Sequence, residues 1–161
     1  MDGGDAQAPW VPQVITEGEW AGWKLWSTDP YELLSGPFYC RNDDNGQVVC
    51  AFKAERKHMN GGGFMHGGCL LTFADYALFC IGGDALAGSG SVTASLSGEF
   101  IDAAREGEFI EARGEVTRAG GSLVFIRGTI STGGRPLLTF SGIVKKVRRR
   151  DPTVITPPEA S

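Results

Sequence analysis

At 161 residues the chain has the length of one domain, enough to bury a sizeable core. Hydrophobic residues make up 42% and charged residues 21%, which fits a soluble globular chain and excludes a disordered one. A net charge of −4 argues against nucleic acid or an anionic membrane surface as partner.

The elements read as follows in chain order. Residues 1–15 form a loose arm. Thr16 to Glu19 has the form of a capping box, and Trp20, Trp23 and Trp26 follow at spacings of three. That stripe predicts a short helix packed on the body of the protein in preference to an aromatic ligand wall. Residues 37–41 and 47–52 read as strands flanking the hairpin signal Asp43-Asp44-Asn45-Gly46. Residues 1–33 are therefore an arm with a short helix, 34–147 the folded domain and 148–161 a fraying tail.

The segment Asn60-Gly-Gly-Gly-Phe-Met-His66-Gly67-Gly68 leads directly into an apolar run that ends at Ile81. Apolar residues at 70, 71, 74, 77, 78 and 81 have the spacing of one helix face. Cys69, Phe73, Tyr76 and Cys80 make the other side apolar too, so the helix should be buried nearly all round. Only Thr72 and Asp75 break the pattern, and they share a face. A carboxylate on such a helix is costly unless it is hydrogen-bonded or has a task. At the helix entrance, Gly67 and Gly68 leave N–H groups and the positive end of the dipole open to a close approach. Four strands follow, near 91–101, 108–118, 122–131 and 136–147, with Gly-Gly turns making the last three a meander. Gly98 inside its strand predicts a bulge or a close backbone approach.

Cys40, Cys50, Cys69 and Cys80 form no C-x-x-C pair and no zinc-ligand spacing. The acidic N-terminus lacks an apolar signal core, and no run is long enough to cross a bilayer. A reducing cytoplasm is the expected location. His58 and His66 lack the H-E-x-x-H pattern, so no metal is expected, and neither a G-x-S-x-G elbow nor a phosphate-cradling loop is present.

A strand pair, one long apolar helix and four antiparallel strands imply an α+β fold with a sheet wrapped around a helix. From about Pro37 to Val147 the chain resembles the hotdog-fold thioesterases of the phenylacetate-degradation type. The ordered set Asn60, His66-Gly67-Gly68, Asp75 and Thr93 carries the resemblance. It implies hydrolysis of an acyl-CoA thioester, with coenzyme A as part of the substrate and no separate cofactor. It also implies a homodimer, assembling to a homotetramer, with sites shared across the dimer. Asn60, Gly67, Asp75 and the hydroxyl at position 93 match functional positions, though serine is frequent where this chain has Thr93. Relatives often carry a Lys or Arg in the turn after the fourth strand, suited to coenzyme A phosphates. This chain has Ala119-Gly120-Gly121-Ser122 there, with Arg118 as the nearby substitute. The Lys145–Arg150 run is a further, weaker source of charge for the nucleotide.

The chemistry of thioester cleavage assigns the roles. Gly67 N–H, with Gly68 second, suits the oxyanion that forms on the carbonyl oxygen. Asp75 acts as general base on water or as nucleophile, and both remain open. Asn60 and Thr93 position water or thioester, His66 orients the loop or the carbonyl, and Thr72 lies on the substrate-facing side with Asp75. Asp75 sits ~13 Å along the helix from its own entrance, so one chain cannot bring its own Asp75 and Gly67 N–H to the same carbonyl. Two helices packed antiparallel about a two-fold axis could, as the resemblance implies. Phe64, Phe73, Phe79 and Phe100 point to an apolar aryl or medium-chain acyl group. Two rivals stand beside this reading: a hydratase or dehydratase on the same fold, and a non-catalytic acyl-CoA-binding module.

Overall fold

The structure, a computed structural model, describes residues 11–148. Asp43 to Gly46 turns as expected, with Gly46 at φ 77° and the Asp43 carboxylate accepting from the N–H groups of Asn45 and Gln47. The turn joins β3 (Tyr39–Asn42) to β4 (Val48–Lys53). The long helix, α2 (Gly67–Ile81), begins at the two glycines. After a short α3 (Gly83–Leu86) come β5 (Gly90–Phe100), β6 (Phe109–Ala119), β7 (Leu123–Thr132) and β8 (Arg135–Val147). With β1 (Gln13–Val14) and β2 (Lys24–Leu25) they form one antiparallel sheet in the order β1-β2-β3-β4-β6-β7-β8-β5. This is the α+β hotdog arrangement, with α2 lying on β4 and on β5 to β8.

Burial of α2 drives the wrap. Leu70, Phe73, Ala74, Ala77 and Leu78 pack against Phe52, Ile110, Val124, Ile126, Leu138 and Val144. Each large side chain so buried contributes roughly 1.5–3 kcal/mol. Gly142 on β8 makes the close approach possible, because a Cβ there would collide with Leu78. Gly98 serves a close approach as well, to Leu138 and the Thr139 carbonyl, and the bulge of β5 lies instead between Thr93 and Ser95.

The helix expected over the tryptophan stripe does not form. Gly18 and Gly22 take φ of 81° and 87°, which turns residues 15–23 into the tip of the β1–β2 hairpin. Glu19 pairs with Lys53 instead of capping a helix. Trp20 stacks on Tyr39 and Trp23 is buried with Val49 and Ala51, whereas Trp26 meets Tyr76 in the main core. The segment's helix comes later, as α1 (Pro30–Ser35). Asp29 caps it by accepting from Glu32 N–H, Pro30 begins it, and Gly36 N–H closes it on the Glu32 carbonyl. Thus residues 11–35 add two strands and a helix to the same body. Residues 1–10 and 149–161, including Arg149, Arg150 and most of the expected tail, lie outside the described residues.

Candidate active site

The loop before α2 is held at both ends. Met65 N–H bonds to the Ala104 carbonyl and His66 N–H to the His58 carbonyl. Asn60 closes the turn between them: its Oδ1 accepts from Gly62 N–H at 2.8 Å and Phe64 N–H at 3.2 Å. Its Nδ2 makes no hydrogen bond among the described residues, so that amide is the end free to meet a ligand.

At the helix entrance the two glycines part company. His66 is the N-cap, and its Nδ1 accepts from Gly68 N–H at 2.9 Å. Gly68 is thereby engaged, while Gly67 N–H has no hydrogen-bond partner among the described residues. The ring of Phe100, at the end of β5, lies over Gly67, where a Cβ would come within 3.1 Å of it. Phe100 and Phe64 are exposed beside this mouth, with Arg105 over the Phe64 ring at 4.6 Å. Phe73, by contrast, is fully buried between Phe38 and Phe52, and Phe79 is half-buried against the core.

Asp75 occupies the middle of α2, half-buried, and its Oδ1 accepts a 2.6 Å hydrogen bond from Thr93 Oγ1. The β5 bulge begins at Thr93, where the strand's register shifts. One turn before Asp75, Thr72 Oγ1 donates to the Gly68 carbonyl and lies 3.4 Å from the Tyr31 hydroxyl. Asp75 and Thr72 line a pocket of about 370 Å³ together with Leu71, Tyr76, Asp29, Tyr31 and Glu32. Burial, with the charges of Asp29 and Asp75, pushes the Glu32 carboxyl up from 4.5 to about 7.

Asp75, Thr93 and Thr72 thus come together in one chain, as do Asn60, His66, Gly67 and Gly68. The two groups stand apart, since one straight helix carries both Gly67 and Asp75, ~12 Å from one another. Arg118 joins neither group. By register it lies in line with Phe125, Ile143 and Ser95, three strands and ~14 Å from β5. Lys146 approaches the Gly120 carbonyl at 3.4 Å. The four thiols are free; burial holds those of Cys69 and Cys80 above their usual range, and a hydrogen bond with Cys80, then burial, does so for Cys40.

The sequence alone missed Asp29, Tyr31 and Glu32. The signal for their helix was present in Asp29-Pro30, a capping residue followed by proline. Its contact with α2 was not, because Tyr31 and Thr72 are 41 residues apart. The free Gly67 N–H, the carboxylate held by a hydroxyl and the adjoining pocket suit attack on an acyl carbonyl.

Comparison with known proteins agrees. Residues 62–139 match the family model of the thioesterase superfamily. An esterase of Pseudomonas aeruginosa is 36% identical over 124 residues, covering 74% of this chain and 90% of that protein. The Escherichia coli PaaI protein of the phenylacetic acid degradation operon superposes with a TM-score of 0.66 at 19% identity. That match covers 76% of this chain and 87% of the other. A thioesterase of Streptococcus pneumoniae, solved with coenzyme A, superposes with a TM-score of 0.63 at 20% identity, covering 74% and 93%. No helix among the described residues is long and apolar enough to cross a membrane. The chain belongs to the hotdog-fold thioesterase superfamily and is a thioester hydrolase.

Proposed function

We propose that the protein hydrolyses an acyl-CoA whose acyl group is apolar, aryl or medium-chain, at two sites shared across a homodimer. The observation that carries this reading is Asp75, a carboxylate on an apolar helix, held by Thr93 beside a pocket. The thioester carbonyl rests on the Gly67 N–H of one subunit, and Asp75 of the other activates water or attacks directly. Asn60 Nδ2 positions the thioester, and His66 keeps the mouth in shape. The Streptococcus pneumoniae protein solved with coenzyme A supports the ligand class. Leu71, Tyr31 and Tyr76 in the pocket, with Phe64 and Phe100 at the mouth, support an apolar acyl group.

The dimer is supported by the edge strand. Nothing among the described residues pairs with the outer edge of β5, an 11-residue strand with Val92 and Phe100 48% and 55% exposed. A long unpaired edge strand of this kind is a template for pairing with another chain. A second copy, related by a two-fold axis, pairs with it and brings each Asp75 towards the other chain's Gly67. Arg118 and Lys145 are then the cations available to the coenzyme A phosphates, and pairs of dimers form the tetramer.

Release of free thiol from aryl-acetyl-CoA and medium-chain acyl-CoAs tests the function, with Asp75→Asn as the control. Asn keeps the shape and removes the basicity, so turnover should fall ~10² or more while acyl-CoA still binds. Full turnover by a correctly folded Asp75→Asn protein would remove Asp75 from the mechanism. Double-bond chemistry without thiol release would make the protein a hydratase, and binding alone would make it a carrier.

A further inference from the structure

The pocket beside Asp75 has two walls. α2 supplies Leu71, Thr72, Asp75 and Tyr76, and the start of α1 supplies Asp29, Tyr31 and Glu32. Tyr31 meets Thr72, which sets α1 against α2 at the level of the site. Asp29 is occupied as the helix cap, and Asp75 accepts from Thr93. The Glu32 carboxyl alone among the three makes no hydrogen bond or ion pair among the described residues. Its titratable neighbours are Asp29 and Tyr31 on its own segment and Asp75 and Tyr76 on α2, and no Lys or Arg lines the pocket. Nor do the carboxyls converge as ligands of a metal ion would, among the described residues. Burial and the two aspartates push the Glu32 carboxyl up to about 7, so about half of it carries a proton at that pH.

Hydrolysis of an alkyl thioester is accelerated by one group that takes a proton and another that gives one. We propose that Glu32 is the general acid of the site, delivering its proton to the departing sulfur and recovering one from Asp75. The step rests on hydrolysis at Asp75 as described above. Asp75 takes a proton from water as the new O–C bond forms and the carbonyl electron pair moves onto oxygen. That pair returns, the C–S bond breaks, and its electrons leave on sulfur, which takes the Glu32 proton. The proton held by Asp75 passes to Glu32 across the pocket they share, leaving a carboxylic acid and a thiol. If Asp75 is the nucleophile, Glu32 still protonates sulfur; water then adds to the acyl carbon of the anhydride, and the departing Asp75 carboxylate takes the water's proton and passes it to Glu32. One carboxyl whose pKa is raised, beside another that accepts a proton, lets one pocket run both halves of such a reaction.

The test compares wild type and Glu32→Gln in the full-length protein on two thioesters of one acyl group, the CoA ester and the S-phenyl ester. Thiophenolate leaves without a proton. With the CoA ester, Glu32→Gln should lose roughly tenfold to a hundredfold in kcat with KM within about twofold. The wild-type fall in kcat as pH rises through about 7 should vanish. With the S-phenyl ester the variants should agree within about twofold, and Glu32→Asp should recover part of the CoA-ester rate. Equal losses on both esters, or an unchanged pH profile in Glu32→Gln, would overturn the proposal. Carbon-13 titration of the Glu32 carboxyl in the resting enzyme gives a readout independent of turnover. A raised value that drops in Asp75→Asn supports the coupling, and an ordinary value overturns it. If Asp75→Asn stays fully active, the failure lies with Asp75, and the leaving-group comparison still decides Glu32.

Discussion

Thr93 Oγ1 donates a 2.6 Å hydrogen bond to Asp75 Oδ1, tying the strand after α2 to the carboxylate in the middle of that helix. The bond holds the Asp75 side chain through Oδ1 and leaves Oδ2 without a hydrogen bond among the described residues. Thr93→Val keeps the shape and loses the donor, so kcat should fall roughly tenfold to a hundredfold, as expected for a hydrogen bond to a charged group worth about 1.5–3 kcal/mol. Thr93→Ser keeps the hydroxyl and should remain near wild type. Steady-state kinetics on the two variants checks the pair, and equal activity would make the bond incidental.

The helix mouth offers a second contrast. Gly67→Pro removes the free N–H at a position where proline suits a helix start, and His66 at ψ 132° tolerates a following proline. Phe100 must give by a few tenths of an ångström to the new Cβ in this variant, as it must in Gly67→Ala, where the N–H survives. A loss of ~10²–10³ in kcat is expected for Gly67→Pro and a much smaller one for Gly67→Ala. Matched losses would trace the effect to Phe100, and retained activity in Gly67→Pro would move the oxyanion donor elsewhere.

His58 links α1 to the mouth loop. Its Nδ1 accepts from Glu55 N–H, which leaves the proton on Nε2 to donate to the Ser35 carbonyl at 2.8 Å. Burial holds its pKa below the usual 6.5. A depressed histidine stabilises the fold above the unfolded value, and that contribution is lost as pH falls through the folded one. His58→Ala should cost ~1–3 kcal/mol at pH 7.5, from the loss of two part-buried hydrogen bonds. The gap in Tm between wild type and variant should narrow as pH drops from about 7.5 to about 5. A gap independent of pH would show that the ring's protonation does not matter to the fold.

Most of the framework was legible because local patterns and burial agreed. In α2 only Thr72 and Asp75 interrupt an apolar run, so the helix and its odd carboxylate stood out together. Asp43 to Gly46 carried its own turn chemistry. The stripe Trp20, Trp23, Trp26 misled because a spacing of three outweighed Gly18 and Gly22, whose positive φ rules out a helix and sends the rings to two faces of the sheet. Glu32 was invisible for a different reason. Nothing in its neighbourhood along the chain distinguishes it, and only the packing of α1 on α2 sets it beside Asp75. Gly67 already ranked ahead of Gly68 on the sequence, and the geometry adds that His66 Nδ1 engages the Gly68 N–H.

The shared site is the central claim, and mixed dimers test it most directly. Asp75→Asn and Gly67→Pro proteins, each nearly inactive alone, are unfolded together in equal amounts and refolded. In a mixed dimer one site carries both lesions, and the other draws Gly67 and Asp75 from the two unaltered positions. Random pairing makes half the dimers mixed, each with one intact site, so about a quarter of wild-type activity should return. If each site were built within one chain, every site would carry a lesion. No recovery, with mixed dimers confirmed by mass spectrometry, would contradict the shared site.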